Sequence, residues 1–359
     1  MIKQGLLDQG DAHNLDGKIF TGGFLPSDRI NPSIKKFLKS LAIPQAPKHI
    51  RAEYRLIGQN GLDKISDSLK RNYFAHHYFG ETPESYLASI RGREDFEAHL
   101  SRRTHEDRVL AIPWLDHARR LRGSRILEIG CGTGSSTVAL AEQGADVTAV
   151  DVDEASLQTA RDRCEAYGLQ PSLSVLNATQ AAQRFAGKGF DFIIFYASLE
   201  HMTHEERLTA MRSTWDILPA GSFWCVVEAP NRLWHRDDHT SWLPFFHWLP
   251  NDLAFDYSRF APREGFRSTF QKHSERADFD FLRHGRGVSY HEFDLAMKPC
   301  HELKVISSLW SFLRRRSLIW RAKARLDGEI RFESFLAKVG PPIHEGFFHP
   351  RLDLIIEKD

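Results

Sequence analysis

The stretch Ile126-Leu-Glu-Ile-Gly-Cys-Gly-Thr-Gly-Ser-Ser136 decides the fold of this chain. Its apolar residues up to Ile129 predict a buried β-strand, and the three alternating glycines that follow allow a tight turn with no Cβ facing a ligand. Residues 137–143 predict a helix that Ser135 or Ser136 can cap, with free N–H groups directed into the same crevice. The stretch therefore predicts a strand, a turn and a helix around a nucleotide-sized site.

A second strand and an acid follow at a spacing that suits such a site. Residues 147–150 predict a second, largely apolar strand, and Asp151 comes twenty-one residues after Gly130. An acid at that distance is placed to hold ribose hydroxyls in an open α/β sheet. Ser135 stands where a dinucleotide fingerprint requires its third glycine, which makes a nicotinamide-dependent oxidoreductase the less favoured alternative.

The pattern Glu-x-Gly-x-Gly-x-Gly, followed by helix, strand and acid, resembles the first motif of class I methyltransferases that use S-adenosylmethionine, in the small-molecule O-methyltransferase branch. The resemblance covers residues 115–230 well. It implies that the loop cradles the methionine half of the cofactor, that Glu128 and Asp151 match the motif's acids, and that Asp151 binds the ribose. Adenine recognition is expected from Thr179, Asn177 or backbone groups, because no acid stands there. The candidate cofactor-binding residues are Glu128, Gly130, Cys131, Gly132, Gly134, Asp151, Val152, Ala178, Thr179, Tyr196 and Ala197.

The strand and helix alternation continues downstream and predicts an α/β fold with a Rossmann-like, doubly wound sheet. The sheet is expected to be mostly parallel, with the last strand inserted antiparallel at its edge, as the resemblance implies. Further strands are predicted at residues 173–176, 190–195, 222–228, 303–307 and 347–357, and a helix at 205–218.

Composition changes along the chain divide it into five segments. Residues 104–121 predict one helix that enters the first strand directly, in a helical region that is a candidate lid or simply packs on the sheet. The basic stretch 312–325 predicts an amphipathic helix with a solvated face, or a dock for an acidic partner or lipid. The segments are a loop-rich arm (1–50), a helical cap (51–120), the cofactor-binding core (121–230), an aromatic and histidine-rich insertion after the fifth strand (231–300), and a C-terminal completion of the sheet (301–359).

Residues 229–250 contain three tryptophans, two phenylalanines, three histidines and three prolines. Such a segment beyond the carboxyl end of a central strand is suited to wall an acceptor pocket. The alternative is a satellite hydrophobic cluster inside the insertion. The candidate substrate residues are Asn231, Trp234, His235, Trp242, Phe245 and His247.

His239 and His201 are the candidate catalytic residues, because histidine can remove a proton from an acceptor hydroxyl. A carboxylate acceptor would need no base. The Leu-Glu-His segment at His201 resembles quinone-biosynthetic O-methyltransferases, whose acids and histidine are linked to a divalent metal. Ala197 stands where those enzymes have a further glutamate, and the other histidines lack diagnostic spacing, so no metal site is predicted.

Charge and cysteine usage limit the partners. The 48 basic and 47 acidic residues nearly balance, which argues against a nucleic-acid binder. Four scattered cysteines suit free thiols in a reducing compartment, and no apolar run is long enough for a membrane span. We therefore expect a cytoplasmic protein that methylates an oxygen of a small or medium-sized acceptor, with a sugar or glycan as one option. A homodimer through the arm is one option for the assembly, and a non-catalytic scaffold is the second alternative.

Overall fold

The computed structural model describes residues 53–75, 82–317, 320, 322, 324–325 and 328–359. The arm expected at residues 1–50 lies outside the described residues. In the described part, seven strands form one sheet: β1 (Arg125–Ile129), β2 (Asp146–Asp151), β3 (Ser172–Val175), β4 (Phe192–Tyr196), β5 (Phe223–Pro230), β6 (Lys304–Ser308) and β7 (Arg351–Glu357). Their order is β3-β2-β1-β4-β5-β7-β6.

The first five strands are parallel, and β7 runs antiparallel to both β5 and β6. This confirms the doubly wound, mostly parallel sheet. The position of the last strand is different from the prediction, because β7 lies between β5 and β6 and does not form the edge. Five consecutive residues of β7 are buried, as an interior strand requires, whereas β6 alternates between exposed and covered positions.

Helices cover both faces of the sheet. The α-helices of the described residues are α1 (Gln59–Ser68), α2 (Pro83–Ala88), α3 (Ile90–Glu97), α4 (Arg103–Glu106), α5 (Ile112–Ala118), α6 (Ser135–Ala141), α7 (Glu154–Ala166), α8 (Ala181–Phe185), α9 (His204–Ile217), α10 (Asn251–Tyr257), α11 (Glu264–Thr269), α12 (Glu275–Leu282), α13 (Tyr290–Ala296), α14 (Leu309–Arg316) and α15 (Glu329–Val339). All five residues of β4 are buried, because helices pack on either side of it.

The single helix expected at residues 104–121 is interrupted. A π-helical turn, Asp107–Ala111, separates α4 from α5, and the helix ends at Ala118. Single π turns inside helices occur often at functional sites. Here the turn carries Asp107, which is only 6% exposed, towards the ends of the central strands.

The helical segment before β1 packs directly on the glycine loop. Arg163 of α7 is fully buried and donates to the carbonyls of Thr133 in the loop (2.8 Å) and Leu100 in the helical segment (3.1 Å). His99 Nδ1 lies 3.3 Å from Thr133 Oγ1. The helical segment therefore holds the glycine loop in place, whether or not it also acts as a lid.

The insertion after β5 has a hydrophobic core of its own, formed by Phe246, Ala254, Phe255, Ala261, Phe266, Phe270 and Phe281. A buried ion pair joins it to the sheet domain, with Arg207 Nη1 of α9 3.0 Å from Glu292 Oε1 of α13. Ser289 and Glu292 form a capping box at the start of α13. The satellite cluster thus accounts for many of the insertion's aromatic residues.

The basic stretch begins with α14, and part of it lies outside the described residues. Arg314 is not on a solvated face, because it forms a bidentate contact with Glu333 of α15 at 2.6 and 2.7 Å. Arg315 and Arg316 are exposed, as expected. The four cysteines are buried free thiols, and no helix in the described ranges combines the length and apolarity that a bilayer span needs.

Candidate active site

The three glycines of the loop have positive φ angles and two different tasks. A Cβ on Gly130 would overlap the Ser198 side chain beyond β4, and one on Gly134 would come within 2.9 Å of the Ala160 backbone in α7. A Cβ on Gly132, at φ +50°, would meet no protein atom within 4 Å. Gly130 and Gly134 therefore permit close packing, whereas Gly132 presents bare backbone to open space where a ligand can approach.

Glu128 does not face that space. It is fully buried, and both carboxylate oxygens accept hydrogen bonds from α6, one from the Ser136 hydroxyl and one from Thr137 Oγ1 at 2.6 Å. Burial raises the pKa of Glu128 to about 7, against the opposing effect of these two donors. The expected helix cap is also different, since Gly134 is the N-cap and Ser136 serves Glu128. Glu128 therefore supports the helix start and does not contact the ligand space.

Asp151 lies at the end of β2 beside the glycine loop. Its carboxylate accepts the N–H of Gly132 at 2.8 Å and that of Asp153 at 3.0 Å. Burial raises the pKa of Asp151, while these backbone donors lower it. The neighbouring Val152 is 60% exposed and offers an apolar surface next to the carboxylate. The predicted ribose-binding acid and an apolar platform thus lie together at the rim of the loop.

The other predicted cofactor residues lie at the ends of β1, β3 and β4. Cys131 is buried, and burial raises the pKa of its thiol well above the ordinary range, so the thiol stays protonated. Asn177 caps a short 3₁₀ turn by accepting from the Thr179 N–H (3.0 Å) and hydroxyl (2.9 Å), and Ala178 is buried beside it. Tyr196 is directed elsewhere, because its hydroxyl donates to Asp107 in a separate cavity.

Strained backbone marks the exits of β4 and β5. Among the described non-glycine residues, positive φ occurs at Ala197 (+44°), Glu228 (+63°), Trp242 (+63°) and Phe245 (+58°). Each such residue costs about 1–3 kcal/mol and persists where the surrounding structure enforces it, often at functional sites. Ala197 follows β4, and Glu228 lies near the end of the neighbouring parallel strand β5, so the strain is concentrated at the side of the sheet where α/β proteins bind ligands.

Three side chains meet just beyond β4: Glu200, His201 and His239. Glu200 is fully buried, and neither carboxylate oxygen has a hydrogen-bond partner. Its Oε1 lies 4.0 Å from His201 Nε2 and 3.8 Å from His239 Nε2. The other ring nitrogens are occupied, since His201 Nδ1 is 3.1 Å from the Arg283 carbonyl and His239 Nδ1 is 3.1 Å from Thr240 Oγ1. The two Nε2 atoms and the carboxylate therefore remain available for chemistry.

We call Glu200, His201 and His239 the Glu200 cluster. Burial and nearby charge shift the pKa values of Glu200 and His239. Burial raises the pKa of Glu200, and His201 opposes the shift. Desolvation and the nearby His201 lower the pKa of His239 well below its ordinary value, so His239 stays neutral and can accept a proton. The donor atoms lie within 4.8 Å of one another, and two imidazoles with one carboxylate are also ligands that a divalent transition metal accepts. The sequence analysis had expected no metal site.

A buried carboxylate positions His239. Asp237 Oδ1 accepts the N–H groups of His239 (3.0 Å) and Thr240 (2.8 Å), and Oδ2 accepts the N–H of Ser241 (2.6 Å). His247 Nε2 lies 3.3 Å from Oδ1. Although burial alone would raise it, His247 and these donors hold the pKa of Asp237 below its ordinary value. The turn that carries His239 is therefore built around an ionised acid.

Three predicted substrate residues are buried inside the protein. His247 is 2% exposed beside Asp237, Asn231 is 1% exposed and donates to the carbonyls of Phe347 and His349, and Trp234 packs edge-on against Phe332. His235 also contacts Phe332, with ring centroids 4.6 Å apart. Of the predicted wall, Trp242 and Phe245 remain 44% and 47% exposed.

Acids that the sequence analysis did not select line a cavity at the exits of β4 and β5. They are Glu106, Asp107, Glu228 and Asp353. A signal was present for two of them, because Glu228 and Asp353 interrupt otherwise apolar strands, and a buried acid there requires a partner or a function.

Comparison with known proteins agrees with this geometry. Residues 126–221 match a family model described as a methyltransferase domain. The ubiquinone biosynthesis O-methyltransferase of Pseudomonas aeruginosa (strain UCBPP-PA14) is 35% identical over 98 residues, which cover 27% of this chain and 42% of that protein. That of Dechloromonas aromatica (strain RCB) is 32% identical with the same coverage. The match thus spans less than half the length of these curated relatives.

Among solved structures, magnesium protoporphyrin IX methyltransferase from Synechocystis PCC 6803 with bound SAH is similar at 23% identity, over 48% of this chain and 68% of that one, with a TM-score of 0.33. The glycine loop, Asp151 and the strand order lie within or beside the matched residues. Residues 126–221 are therefore similar to a known methyltransferase domain.

Proposed function

We propose that the protein transfers a methyl group from S-adenosylmethionine to an oxygen of a small or medium-sized acceptor. The observation that carries this proposal is the position of the Glu200 cluster. Ser198, which packs against Gly130 of the cofactor loop, is two residues from Glu200, so an unpartnered carboxylate and two histidines stand next to the donor site.

The residues at the loop fit S-adenosylmethionine. The space over Gly132 admits close contact with backbone, the Asp151 carboxylate can accept from ribose hydroxyls, and Val152 offers an apolar face to a flat base. Ser135 Oγ is buried without a hydrogen-bond partner, which leaves a polar group for the ligand. When bound, the cofactor supplies a methyl group on a positively charged sulfur.

The residues of the chain itself contribute by removing the proton of the acceptor hydroxyl. A neutral His239 takes the proton of the acceptor hydroxyl at Nε2 while the oxygen gains the methyl group. The Glu200 carboxylate, 3.8 Å away, stabilises the resulting imidazolium. His201 lines the same opening, with its ring centroid 5.6 Å from that of His239.

The names of the relatives support an oxygen acceptor, since they are O-methyltransferases of ubiquinone biosynthesis. The buried free thiols support a reducing, cytoplasmic setting. The two alternatives, a nicotinamide-dependent oxidoreductase and a non-catalytic scaffold, have no observation in their favour that matches the Glu200 cluster.

The test is transfer of radiolabel from S-adenosylmethionine to small molecules of a cell extract, with His239→Ala and His301→Ala compared. His301 is exposed and outside the site, so it controls for loss of a histidine. We expect His239→Ala to lower the labelling rate at least about tenfold with unchanged affinity for S-adenosylhomocysteine, as loss of a general base predicts. Equal rates in both variants would reject the base, and absence of labelling by the wild type would favour the scaffold.

A further inference from the structure

The acidic cavity at the exits of β4 and β5 is distinct from the glycine loop and has a composition of its own. About 30 Å³ of it can hold the centres of water-sized groups, within a wider opening of about 450 Å³ that includes solvent. The residues that line it include four acids, Glu106, Asp107, Glu228 and Asp353, and two tryptophans, Trp310 and Trp320. The two indoles meet edge to face, with centroids 5.9 Å apart.

In this cavity, burial destabilises the ionised carboxylates of Glu106, Asp107 and Asp353 more than their hydrogen-bond and ionic partners stabilise them. Asp107 is 6% exposed and receives the Tyr196 hydroxyl, and Asp353 is 2% exposed and receives the Glu228 N–H at 2.6 Å. Burial raises the pKa of Asp353 to about 7 and that of Glu106 to about 6. Arg351 lines the cavity, and Arg102 and Arg103 also act on Glu106, but the effect of burial is larger.

Glu228 connects the cavity to the Glu200 cluster. Besides burial, its charge raises the pKa of Glu106 and Asp107 on the cavity side and that of Glu200 on the other. Its own backbone is held at φ +63°, where a glutamate is strained. Tyr196, which lines the cavity, ends β4, and Glu200 follows it by four residues, so the cavity and the Glu200 cluster lie at the same end of the sheet.

We infer that this cavity binds a protonated amino group of the methyl acceptor, placed among the four carboxylates and against the tryptophan wall. The inference rests on the proposed function and adds the chemical class of the acceptor. An ammonium ion supplies the positive charge that the buried acids lack, and hydrogen bonds to carboxylates satisfy its donors.

The tryptophans suit the same ligand. An indole face attracts a cation, and one face of Trp310 already carries the Arg314 guanidinium at 5.2 Å from the ring centroid. An anionic acceptor would meet the like charge of four acids. A neutral acceptor such as an unsubstituted sugar would add no positive charge to that of the nearby arginines, whose effect on Glu106 is smaller than that of burial.

The test uses 2-phenylethylamine and its neutral isostere 2-phenylethanol as probes, titrated by calorimetry into the full chain saturated with S-adenosylhomocysteine. We expect the amine to bind at least about tenfold more tightly than the alcohol. Glu106→Gln and Asp353→Asn should each weaken the amine at least about fivefold, whereas Glu205→Gln, at an exposed position on α9, should leave it unchanged.

The outcomes separate the two proposals. Equal binding of amine and alcohol, or binding of neither while S-adenosylhomocysteine still binds, would overturn the cavity assignment alone. Failure of S-adenosylhomocysteine to bind would overturn the proposed function. Because Asp353 is buried and its variant could fail to fold, the partly exposed Glu106 keeps the test decisive.

Discussion

The substitution Gly132→Ala distinguishes the role of the glycine loop in cofactor binding from its role in folding. Gly132 has φ +50° and open space where its Cβ would stand, so the methyl group meets no protein atom. The chain then bears only the left-handed strain, about 1–2 kcal/mol of unfolding free energy. In the bound state the same methyl group would occupy space that the cofactor needs. We expect affinity for S-adenosylhomocysteine to fall at least about tenfold, which is ~1.4 kcal/mol of binding free energy.

Two further glycines provide matched controls. Gly123→Ala, in the turn before β1, also combines a positive φ (+78°) with open space, so it measures strain alone. Gly134→Ala adds a 2.9 Å contact with the Ala160 backbone and should be the least stable of the three. Urea denaturation and isothermal titration calorimetry give the two free energies. If Gly132→Ala binds S-adenosylhomocysteine as tightly as Gly123→Ala does, the loop is not a ligand cradle.

Three other perturbations test separate parts of the account. Arg207→Ala leaves Glu292 buried without its partner at 3.0 Å, so the free energy of unfolding measured by urea denaturation should fall by about 3–5 kcal/mol. Arg212→Ala, at an exposed position on the same helix, should lower it far less. Similar losses in the two variants would contradict the role of the ion pair. Because the pKa of His239 lies well below 6.5, the wild-type labelling rate should persist below pH 6.5, and a fall centred at or above that pH would argue against His239 as the base. The folded-state pKa of Glu128, about 7, exceeds its ordinary 4.5, so the protonated form favours folding and this contribution is lost as pH rises through 7. Glu128→Gln should therefore lose less unfolding free energy than the wild type between pH 5 and 8, and an equal loss would reject the shift.

Local motifs predicted the part of the site that lies close together in sequence. The glycine loop, Asp151 and the strand order follow from a turn that needs glycine and from apolar strands buried on both faces. Glu128 was expected among the cofactor-binding residues, and its hydrogen bonds to Ser136 and Thr137 become visible only once the helix places their hydroxyls next to the strand.

The acceptor side could not be predicted in the same way. His239 reaches Glu200 only because the insertion folds around its own phenylalanine core and Asp237 shapes the turn. Composition identified residues 229–250 as rich in aromatic residues, but it does not tell which of them face inward. Trp234 and His247 proved to be internal, whereas the acids of the cavity come from three distant segments that only the tertiary fold brings together.

The most direct test of the central claim is a calorimetric titration of S-adenosylhomocysteine into the wild type, Asp151→Ala and Asp146→Ala. Asp146 lies at the exposed start of the same strand and serves as the control. The account predicts saturable one-to-one binding to the wild type and to Asp146→Ala, and a large loss of affinity in Asp151→Ala. No heat with the wild type, or equal affinity in all three proteins, would contradict a cofactor held at the end of β2.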